Sequence, residues 1–572
     1  MRRAGTAALT TAIALAIVPA AARAAEQQAY APSIAGYATP VIAAAPGDTL
    51  RLTVLDPVIR HNLASDTPGL FTSKVISGGA SEIVEGVDKL PAGQYPFHCD
   101  LHAWMKGVLN VGSPSQPPVA VPAPPDPSNP PNPVDLVPHA APAPLTAGDW
   151  PLYGHDLANT RDGGTNGPSV DEVPFLRPVW SFKSDDGDFT GTPVVADGKV
   201  VAVSGDGVVF AVDGSTGKLL WKQDVATANG ENVNGTAAIA DGRVFVPISR
   251  PNGPEVAALS LADGAPLWKV TYDSQPGADT FGSPVVWHDT VYIGTSGQNG
   301  DPDLPMRGNV TALDAVTGEQ VWKTYLVDPG QNGAPVWSTP AIDTATATLY
   351  AGTGNAYSGT AGPMTDSIVS LDAHNGKVLG HFQGTAGDVF TTSSGGAAGP
   401  DADFGSSPNL FDGPDGRKLV GEGAKSGIYH AVDRATMAEV WNFQTGPGTP
   451  VGGILGSTAF DGKRIYGPDT PGGEAWALGT DGTPAWASAD GGPLHDSSTA
   501  VANGVVYTTD MSAVLTAREA STGAVLLKLP LGAPSYGGVA IAGGYVFAVT
   551  GTQSASGYIV GYRADSGGAA GR

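Results

Sequence analysis

The chain has 572 residues, too many for one ordinary hydrophobic core, so several domains or a large repeat array are expected. Charged residues are 15% of the chain, against 79 glycines and 49 prolines, and this composition favours short strands and many turns over helices. The net charge of −24 argues against nucleic acid as a partner, because phosphate binding needs clustered lysine and arginine.

The N-terminus is typical of an export signal. Arg2 and Arg3 precede an apolar run from Ala7 to Ala22, and Ala22-Arg23-Ala24 offers small residues for cleavage. We therefore expect residues 1–24 to be a signal peptide and the mature protein to be periplasmic or extracellular, with an uncleaved anchor as the alternative. No other segment is long and apolar enough to span a bilayer, so no integral membrane domain is expected.

Residues 26–113 are expected to form a small β-sandwich. Thr49–Val54 alternates apolar and polar side chains, as a half-buried strand does. Val108–Val111 is predicted as a second strand, directly after a turn at Met105–Gly107. Short alternating strands of this kind pack as two sheets around one core.

Cys99 is the only cysteine of the chain. A lone thiol in an exported protein is exposed to oxidation unless something binds it. His102 and Met105 follow it closely, and His61 lies far upstream. A thiolate, two imidazoles and a weak axial thioether suit an electron-transfer copper centre, so the pattern predicts one copper ion held by these four side chains.

This ligand pattern resembles the cupredoxins, and its Cys-x-x-His-x-x-Met loop is most similar to the amicyanin or plastocyanin type. The resemblance covers most of the first unit and implies a Greek-key sandwich with type 1 copper at the four positions. His98 is adjacent to the cysteine, so its side chain is expected on the opposite face of the strand. A copper-free sandwich with incidental histidines is the alternative, and zinc is a poorer fit to a thioether ligand.

Residues 114–147 are expected to be a linker. Pro117–Pro131 cannot pair into a sheet, because its many prolines lack the amide donor. An extended, semi-rigid spacer between two units is the prediction.

Residues 148–572 contain an internal repeat. Its core is a small residue, a short strand, a Thr-Gly-like turn and a strand ending in tryptophan, as in Ala211-Val-Asp-Gly-Ser-Thr-Gly-Lys-Leu-Leu-Trp221. The copies recur at intervals of about 40 to 60 residues, with one glycine turn each, which predicts a β-propeller. They begin at Ala211, Ala258, Ala312, Ser370, Ala431, Ala477, Ala517 and Gly561.

The eighth copy is cut short by the C-terminus and lacks its tryptophan strand. Pro178–Phe182, near the start of the array, looks like that missing strand. An N-terminal strand that completes the last blade would protect its edge and seal the ring. We therefore expect an all-β chain with a sandwich, a proline-rich linker and an eight-bladed propeller, with seven blades as the alternative. The tryptophans are expected to pack between neighbouring blades.

The repeat region resembles the quinoprotein dehydrogenases, which are eight-bladed propellers that use pyrroloquinoline quinone, and especially the polyvinyl alcohol dehydrogenase branch. The likeness begins at Asp149-Trp-Pro-Leu-Tyr-Gly-His-Asp-Leu-Ala-Asn-Thr-Arg161. Its more specific part runs from Val336-Trp-Ser-Thr-Pro340 to Tyr350-Ala-Gly-Thr-Gly-Asn355. In the family this tryptophan lies under the quinone and this asparagine binds calcium, which implies those roles for Trp337 and Asn355. Ordinary core packing is the alternative for Trp337.

The resemblance also implies a catalytic base and a cation beside the quinone. The family's base lies in an Asp-x-aromatic-Asp stretch, which Asp388-Val-Phe390 begins, but Thr391 stands where the second aspartate would fall. Asp403 resembles the displaced base, with Asp388 as its supporting acid, and Lys425 matches the cation. Either aspartate could instead cap a turn, and the lysine could be solvated.

Two departures from the family pattern stand out. Many members carry adjacent cysteines over one face of the quinone, and this chain has none. The family's acidic calcium ligand precedes an Arg-Gly pair, whereas here Ser296-Gly-Gln298 leads to Met306-Arg-Gly308. Gln298, Asp301 or Asp303 would have to replace that acid.

The two resemblances together imply an exported dehydrogenase for an alcohol, with polyvinyl alcohol among the candidates. Electrons would pass from the quinone to the fused copper, because no Cys-x-x-Cys-His motif is present to attach haem, and then to a redox partner protein. The alternative is a quinone-free propeller that acts as a binding scaffold beside a copper domain. A multicopper oxidase would need many more histidines than these 10. Convergence of Trp337, Asn355, Lys425 and Asp403 on the central channel would favour the enzyme.

Overall fold

The computed structural model describes residues 26–31, 37, 41–54, 60–76, 80–112, 148–227, 231–298, 305–391, 399–449, 452–470, 474–488, 497–551 and 557–564. The expected signal peptide (1–24) and linker (114–147), Asp301, Asp303 and the side chain of His102 lie outside this part. Helix is confined, in what is described, to 3-10 turns at Val87–Lys89 and Val173–Phe175. No helix found there is long and apolar enough to cross a bilayer.

The N-terminal unit consists of two small sheets around one core. Its strands are β1 (Glu26–Ala31), β2 (Val41–Ala44), β3 (Thr49–Val54), β4 (Ala64–Ser65), β5 (Ser81–Ile83), β6 (Gly93–Cys99) and β7 (His102–Val111). One sheet has the order β1-β3-β5 and the other the order β2-β7-β6-β4. The pairs β1/β3 and β2/β7 are parallel and the remaining pairs antiparallel. The apolar faces of both sheets enclose one cluster that includes Phe97, Cys99 and Met105.

Both strand predictions for this unit are confirmed, since Val108–Val111 lies within β7, but the turn predicted before that strand is not. Thr49–Val54 is a strand, as its alternating pattern predicted. The predicted turn at Met105–Gly107 is wrong, because β7 runs unbroken from His102 to Val111. Antiparallel pairing with β6 gives the amides of this segment ladder partners, and an extended backbone satisfies them better than a turn would.

The described residues after 148 form eight antiparallel sheets, which confirms the predicted count of blades. In blades 1 to 7 the four main strands follow one another from the hub outward. At seven of the eight junctions the first strands of neighbouring blades lie in contact around the hub, and Ala540–Ala542 of blade 8 contacts Val194–Ala196 of blade 1. At the junction of blades 3 and 4 the amide of Ser283 donates to Oγ1 of Thr339, so the ring is closed.

The blades have the following strands. Blade 1 has Val194–Ala196, Lys199–Val203, Val208–Asp213 and Leu219–Asp224, and blade 2 has Ala238–Ala240, Arg243–Ile248, Glu255–Ser260 and Pro266–Thr271. Blade 3 has Val285–Trp287, Thr290–Gly297, Asn309–Asp314 and Gln320–Tyr325, with the short strand Ala278–Asp279 added, and blade 4 has Ala341–Asp343, Thr348–Gly352, Ser367–Asp372 and Val378–Gln383. Blade 5 has Asn409–Asp412, Lys418–Gly423, Ile428–Asp433 and Glu439–Gln444, and blade 6 has Ala459–Phe460, Arg464–Asp469, Glu474–Gly479 and Pro484–Ser488. Blade 7 has Ala500–Ala502, Val505–Thr509, Val514–Glu519 and Val525–Pro530, and blade 8 has Ala540–Ala542, Tyr545–Val549, Tyr558–Ala564 and Leu176–Lys183.

The last blade is completed by the N-terminal strand β8 (Leu176–Lys183), as the sequence predicted. β8 pairs antiparallel with Tyr558–Ala564, and Trp180 lies opposite Gly561. This pairing removes the free edge that the truncated eighth repeat would leave, and it joins the two ends of the array.

The repeat tryptophans pack against the turn glycine of the next blade, which confirms their predicted place. Trp180 Nε1 donates to the carbonyl of Gly214 at 3.0 Å. A Cβ at Gly217, whose φ is 68°, would come within 2.5 Å of the indole. The strands extend about three residues beyond the tryptophan instead of ending there. A corresponding hydrogen bond, from the indole Nε1 to a backbone carbonyl of the next blade, is formed by Trp221, Trp268, Trp322, Trp441 and Trp486.

At the interface between blades 4 and 5 the small residue stands at the tryptophan position and the large residue at the turn-glycine position. Gly380 takes the tryptophan position in blade 4, and Met437 takes the turn-glycine position in blade 5 with a φ of 54°. A Cβ at Gly380 would lie 2.8 Å from Cγ of Met437, so the methionine fills the space that an indole fills elsewhere. A large residue on one side thus faces a small one on the other, as close packing requires.

The segment 150–166 runs beneath the inner ends of the blades. The innermost strands have no further strand to pair with, so their amides need other acceptors. Carbonyl groups of this segment accept from at least one amide in every blade except blade 3. The donors are Val195, Ile239, Ile342, Leu410, Phe460, Val501, Asn503 and Gly544. This bonding gives a structural role to the stretch Asp149–Arg161, at which the family resemblance begins.

A ring of hydroxyl groups lies next to this segment. The amide of Thr192 donates to Oγ1 of Thr236 at 2.8 Å, and the same bond is repeated from blade to blade up to blade 7. The members of this hydroxyl ring are Thr192, Thr236, Ser283, Thr339, Ser407, Ser457 and Ser498. In blade 8 the position is Gly538, and Nη2 of Arg161 lies 2.5 Å from where its Cβ would be. The buried guanidinium therefore occupies the eighth position.

The tryptophan–glycine contact predicts a difference between two glycine substitutions in blade 1. Gly217 and Gly198 have similar φ values, 68° and 72°, but a Cβ at Gly198 would meet nothing within 4 Å. Both Gly198→Ala and Gly217→Ala should cost about 1 kcal/mol from backbone strain. Gly217→Ala should cost roughly 1 to 3 kcal/mol more, because it overpacks the Trp180 ring. Thermal melting of the two variants measures the difference, and equal melting temperatures would contradict the docking contact.

Candidate functional site

In seven of the eight blades, one described position lies two residues before the hydroxyl-ring position and is partly exposed. These residues, which we call the chamber floor, are Thr190, Asn234, Phe281, Trp337, Gly405, Leu455 and Tyr536. The hydroxyl-ring residues are themselves buried, so the floor is where the hub opens. A Cβ at Gly405 would overlap the six-membered ring of Trp337. The indole thus lies across its neighbour's position and presents a flat aromatic surface, which core packing alone would not require.

Asp403 is buried beside this floor and is held by hydrogen bonds on several sides. Its Oδ1 accepts from the amide of Asn355 at 2.7 Å, and its Oδ2 lies 2.8 Å from Nζ of Lys425. Its own carbonyl accepts from the amide of Lys425 at 2.9 Å. Nζ of Lys425 also lies 5.4 Å from the centroid of the Trp337 ring. The structure thus brings together Trp337, Asn355, Lys425 and Asp403, which sequence reasoning had selected from three separate stretches.

Lys425 is buried, so the solvated alternative for this residue is wrong. Besides Asp403, its Nζ binds Oδ1 of Asp401 at 2.7 Å. A buried ammonium between two carboxylates has its charge compensated. Sequence reasoning missed Asp401, although its place two residues before Asp403 was a visible signal.

Asp388 supports the loop that carries Asp403 and does not touch the Asp403 side chain in any described contact. Its Oδ2 accepts from the amide of Ala402 at 2.9 Å, and its own carbonyl accepts from the amide of Ala356. The contact of Asp388 with Ala402 caps the loop, and it fixes the position of Ala402, which directly precedes Asp403. Burial, and then the negative charge of Asp403, raise the pKa of Asp388 above its usual value.

The side chain of Asn355 has one unused acceptor. Its Nδ2 donates to the carbonyls of Ala356 and Phe390, both at 2.7 Å, which fixes the amide orientation. Its Oδ1 is buried without a hydrogen-bond partner among the described residues. An orphan amide oxygen suits a hard cation such as calcium. Gln298, the candidate replacement for the family's acidic calcium ligand, contacts a different residue: its Nε2 donates to Oδ1 of Asn252 at 3.3 Å.

The N-terminal unit brings three of the four predicted copper ligands into one core. His61, Cys99 and Met105 are fully buried, and Sγ of Cys99 lies 4.0 Å from Nδ1 of His61. With metal bonds of about 2.3 Å for sulfur and about 2.0 Å for nitrogen, one ion can reach both atoms. The backbone of His102 pairs with Cys99 at the tip of the β6/β7 hairpin. Its side chain lies outside the described residues.

A polar clamp ties the two ligand loops together. Asn62 Nδ2 donates to Oδ2 of Asp100 at 2.7 Å, and the amide of Asp100 donates to Oδ1 of Asn62 at 2.8 Å. These residues follow His61 and Cys99 directly, so the clamp fixes the spacing of two ligands. The phenol of Tyr37 donates to the carbonyl of Asn62. Burial and the neighbouring Cys99 charge raise its pKa. Sequence reasoning missed all three, which belong to no ligand motif.

His98 does not join the ligand cluster. Its Nδ1 lies 2.6 Å from Oδ1 of Asp66, and its Nε2 lies 3.2 Å from Oδ1 of Asp100. The side chain is partly exposed while Cys99 is buried. The two neighbours thus point to opposite faces of β6, as predicted.

Two further buried acids near the hub had no sequence signal. Asp366 precedes the third strand of blade 4, and Glu422 lies on the second strand of blade 5. Both side chains are fully buried, and none of their oxygens has a hydrogen-bond partner in the described structure. Burial raises the pKa of each well above its usual value, with neighbouring aspartates adding to the effect at Asp366.

Comparison with known proteins identifies the repeat region. Residues 150–459 match the model of the glucose/ethanol/alcohol dehydrogenase β-propeller domain, and residues 424–568 match that of the outer membrane protein assembly factor BamB. The first match covers just over half of the 572 residues, so the chain belongs to the glucose/ethanol/alcohol dehydrogenase β-propeller family.

Individual relatives narrow this class. The chain is 29% identical over 351 residues to a polyvinylalcohol dehydrogenase from a Pseudomonas species, covering 56% of this chain and 55% of the relative. It is 29% identical over 332 residues to a quinohemoprotein alcohol dehydrogenase from Comamonas testosteroni, covering 50% and 45%. The chain spans about half the length of the curated relatives it matches. Its propeller is therefore similar to those of quinone-dependent alcohol dehydrogenases and close to that of polyvinyl alcohol dehydrogenase.

Solved structures agree on the fold. The crystal structure of the Comamonas testosteroni quinohemoprotein alcohol dehydrogenase matches with a TM-score of 0.63 at 22% identity, covering 75% of this chain and 82% of that one. A europium-containing methanol dehydrogenase matches with a TM-score of 0.61 at 20% identity, covering 73% and 98%.

The buried Glu422 predicts a pH-dependent gain in stability for Glu422→Gln. In the unfolded chain this carboxyl ionises above pH 4.5, whereas burial keeps it protonated when folded. Wild-type stability should therefore fall by about 1.4 kcal/mol per pH unit between the unfolded and folded pKa values, and the glutamine variant should escape that loss.

Thermal melting between pH 4 and pH 8 measures this effect. At pH 4 the melting temperature of Glu422→Gln should equal that of the wild type. As the pH rises, the melting temperature of the variant should exceed that of the wild type by a growing margin. Glu319→Gln, at an exposed position on blade 3, is the control and should follow the wild type throughout. A pH-independent difference for Glu422→Gln would show that the carboxyl is not protonated in the folded protein.

Proposed function

We propose that this protein oxidises an alcohol at pyrroloquinoline quinone held in the hub and passes the electrons to type 1 copper in its N-terminal unit. The convergence of Asp403, Lys425, Asn355 and Trp337 at the chamber floor carries this proposal. A hydroxylated polymer is the favoured substrate class, because the relatives include polyvinylalcohol dehydrogenases.

Each residue of the hub has a distinct task in this proposal. Trp337 provides the flat platform on which a planar cofactor stacks. The amide oxygen of Asn355 would hold calcium, and Lys425 would neutralise negative charge on a bound quinone. Asp403 is the base that takes the hydroxyl proton of the alcohol, and its ion pair with Lys425 holds its carboxyl group in place. Asp388 acts as a positioning residue through Ala402.

The copper unit would carry the electrons onward. Pyrroloquinoline quinone, when bound, supplies a two-electron acceptor, and type 1 copper supplies a one-electron relay. Each alcohol oxidised to a carbonyl releases two electrons and two protons, so the copper ligands His61, Cys99, His102 and Met105 must serve two successive transfers. A redox partner protein would take each electron from the copper.

Domain organisation and export complete the proposal. We assign residues 1–24 to a signal peptide, 26–113 to a cupredoxin-like copper domain, 114–147 to a linker and 148–572 to the propeller. The two parallel strand pairs and the buried His61, Cys99 and Met105 support the copper domain. Periplasmic or extracellular export is supported by the apolar N-terminus.

A binding scaffold is the second candidate. The match of residues 424–568 to the BamB model favours it, as does the absence of an adjacent cysteine pair. In that case the protein would take up copper but no quinone, and no alcohol would reduce it.

Reconstitution of the full chain with quinone, calcium and Cu(II) separates these functions. Addition of alcohol should bleach the sulfur-to-copper absorption band, because electrons from the substrate reduce the copper. Polyvinyl alcohol and a short alcohol are compared to rank the substrate classes. Cys99→Ser, which removes the thiolate ligand, is the control and should lose the band but keep the reduction of an added dye.

Two results would contradict the proposal in different ways. Dye reduction with an unbleached copper band would refute the relay and leave the dehydrogenase standing. No dye reduction and no retained quinone would refute the dehydrogenase and favour the scaffold.

A further inference from the structure

Asp366 is a buried carboxylate that the proposed reaction does not yet use. Its amide donates to the carbonyl of Gly354 at 3.0 Å, and its carbonyl accepts from the amide of Gly384 at 2.9 Å, so its backbone is fixed. The side chain is fully buried, and neither Oδ1 nor Oδ2 has a hydrogen-bond partner among the described residues. Such a group is costly unless it binds a proton or a cation.

A second orphan acceptor lies next to it along the backbone. Asn355 follows Gly354, the residue that accepts the amide hydrogen bond of Asp366. The Oδ1 of Asn355 is buried and has no hydrogen-bond partner among the described residues. Its Nδ2 donates to two backbone carbonyls, and its backbone N–H donates to Asp403. The asparagine cannot use its Oδ1 elsewhere without giving up these bonds. Carboxylate and amide oxygens together are the ligands that calcium prefers.

The local charge balance also favours a cation. Asp366 feels the negative charges of Asp403, Asp388 and Asp401, which add to burial in raising its pKa. Lys425 is a cation whose charge opposes this effect, and its Nζ is already bound to Asp401 and Asp403 at 2.7 and 2.8 Å. Four carboxyl groups face a single ammonium, so a divalent ion would relieve the excess negative charge.

We propose that Asp366 is the acidic ligand of a divalent cation, calcium in the first instance, which it shares with Oδ1 of Asn355. This rests on the proposed function, because it completes the calcium site for which the family's usual acid is missing. Gln298, the other described candidate, is engaged with Asn252. No group of three His, Cys, Asp or Glu side chains that could hold a metal is found among the described residues, so the proposed site includes the amide oxygen of Asn355 as well as the carboxyl group of Asp366.

Calcium titration of the full chain, stripped with chelator and free of quinone, tests the site by calorimetry. The wild type should bind one calcium ion, and both Asp366→Asn and Asn355→Ala should weaken that binding by at least about tenfold. Asp188→Asn is the matched control, because Asp188 is also buried with an unpartnered oxygen and a pKa raised to about 6. It and Gln298→Ala should bind calcium like the wild type.

The melting temperature provides a second measurement of calcium binding, one that does not depend on the heat of binding. Calcium should raise it in the wild type and in Asp188→Asn but not in Asp366→Asn, whose melting in chelator shows whether it folds. Wild-type binding by Asp366→Asn, or no binding by the wild type, would overturn the proposal. Calcium binding through Asp366 without any dye-linked oxidation would leave this site standing and refute the enzyme instead.

Discussion

The need to satisfy the backbone at the hub is the constraint on which the rest of the structure depends. Eight inner strands meet there, and their amides would be left without partners if nothing else entered the axis. The segment 150–166 supplies carbonyls to seven blades, and the hydroxyl ring links neighbouring blades from Thr192 to Ser498. Arg161, whose pKa burial lowers to about 10, donates to carbonyls of Thr499 and Tyr153 and fills the one gap in the ring. The residues of the chamber floor lie two positions before this layer, so its hydrogen bonds help to fix where their backbone runs.

The charged cluster of Asp401, Asp403 and Lys425 beside the chamber floor is positioned by the hub. Trp337 is two residues from a ring hydroxyl, so its indole position is set by the hub and by the missing side chain at Gly405. The loop that carries Asp401 and Asp403 is then fixed by Asp388 and by the backbone of Lys425. A buried group of acids with one lysine is unfavourable as a purely structural element. It is well suited to a site that takes a proton and holds a cation.

Much of the fold was predictable because the repeat obeys simple packing rules. The tryptophan and the turn glycine mark each blade, and the truncated eighth copy correctly pointed to Pro178–Phe182 as its missing strand. The copies beginning at Ser370 and Ala431 were recognised although Gly380 and Met437 depart from the motif, but only the fold shows that these two residues pack against each other. The turn expected at Met105–Gly107 was wrong because ladder pairing with β6 outweighed the local signal.

The site was predictable only in part. The family resemblance selected Asp403, Asn355, Lys425 and Trp337, and the structure places them together. Asp366 is 11 residues beyond Asn355 in an ordinary strand context, and only the fold reveals that its oxygens have no partners. Dye-linked alcohol oxidation by Asp403→Asn, loaded with quinone and calcium, tests the central claim most directly. The account predicts that quinone uptake matches the wild type while turnover falls by about 10² to 10⁴-fold, as expected for loss of a general base. Wild-type turnover in a variant that retains its quinone would contradict it.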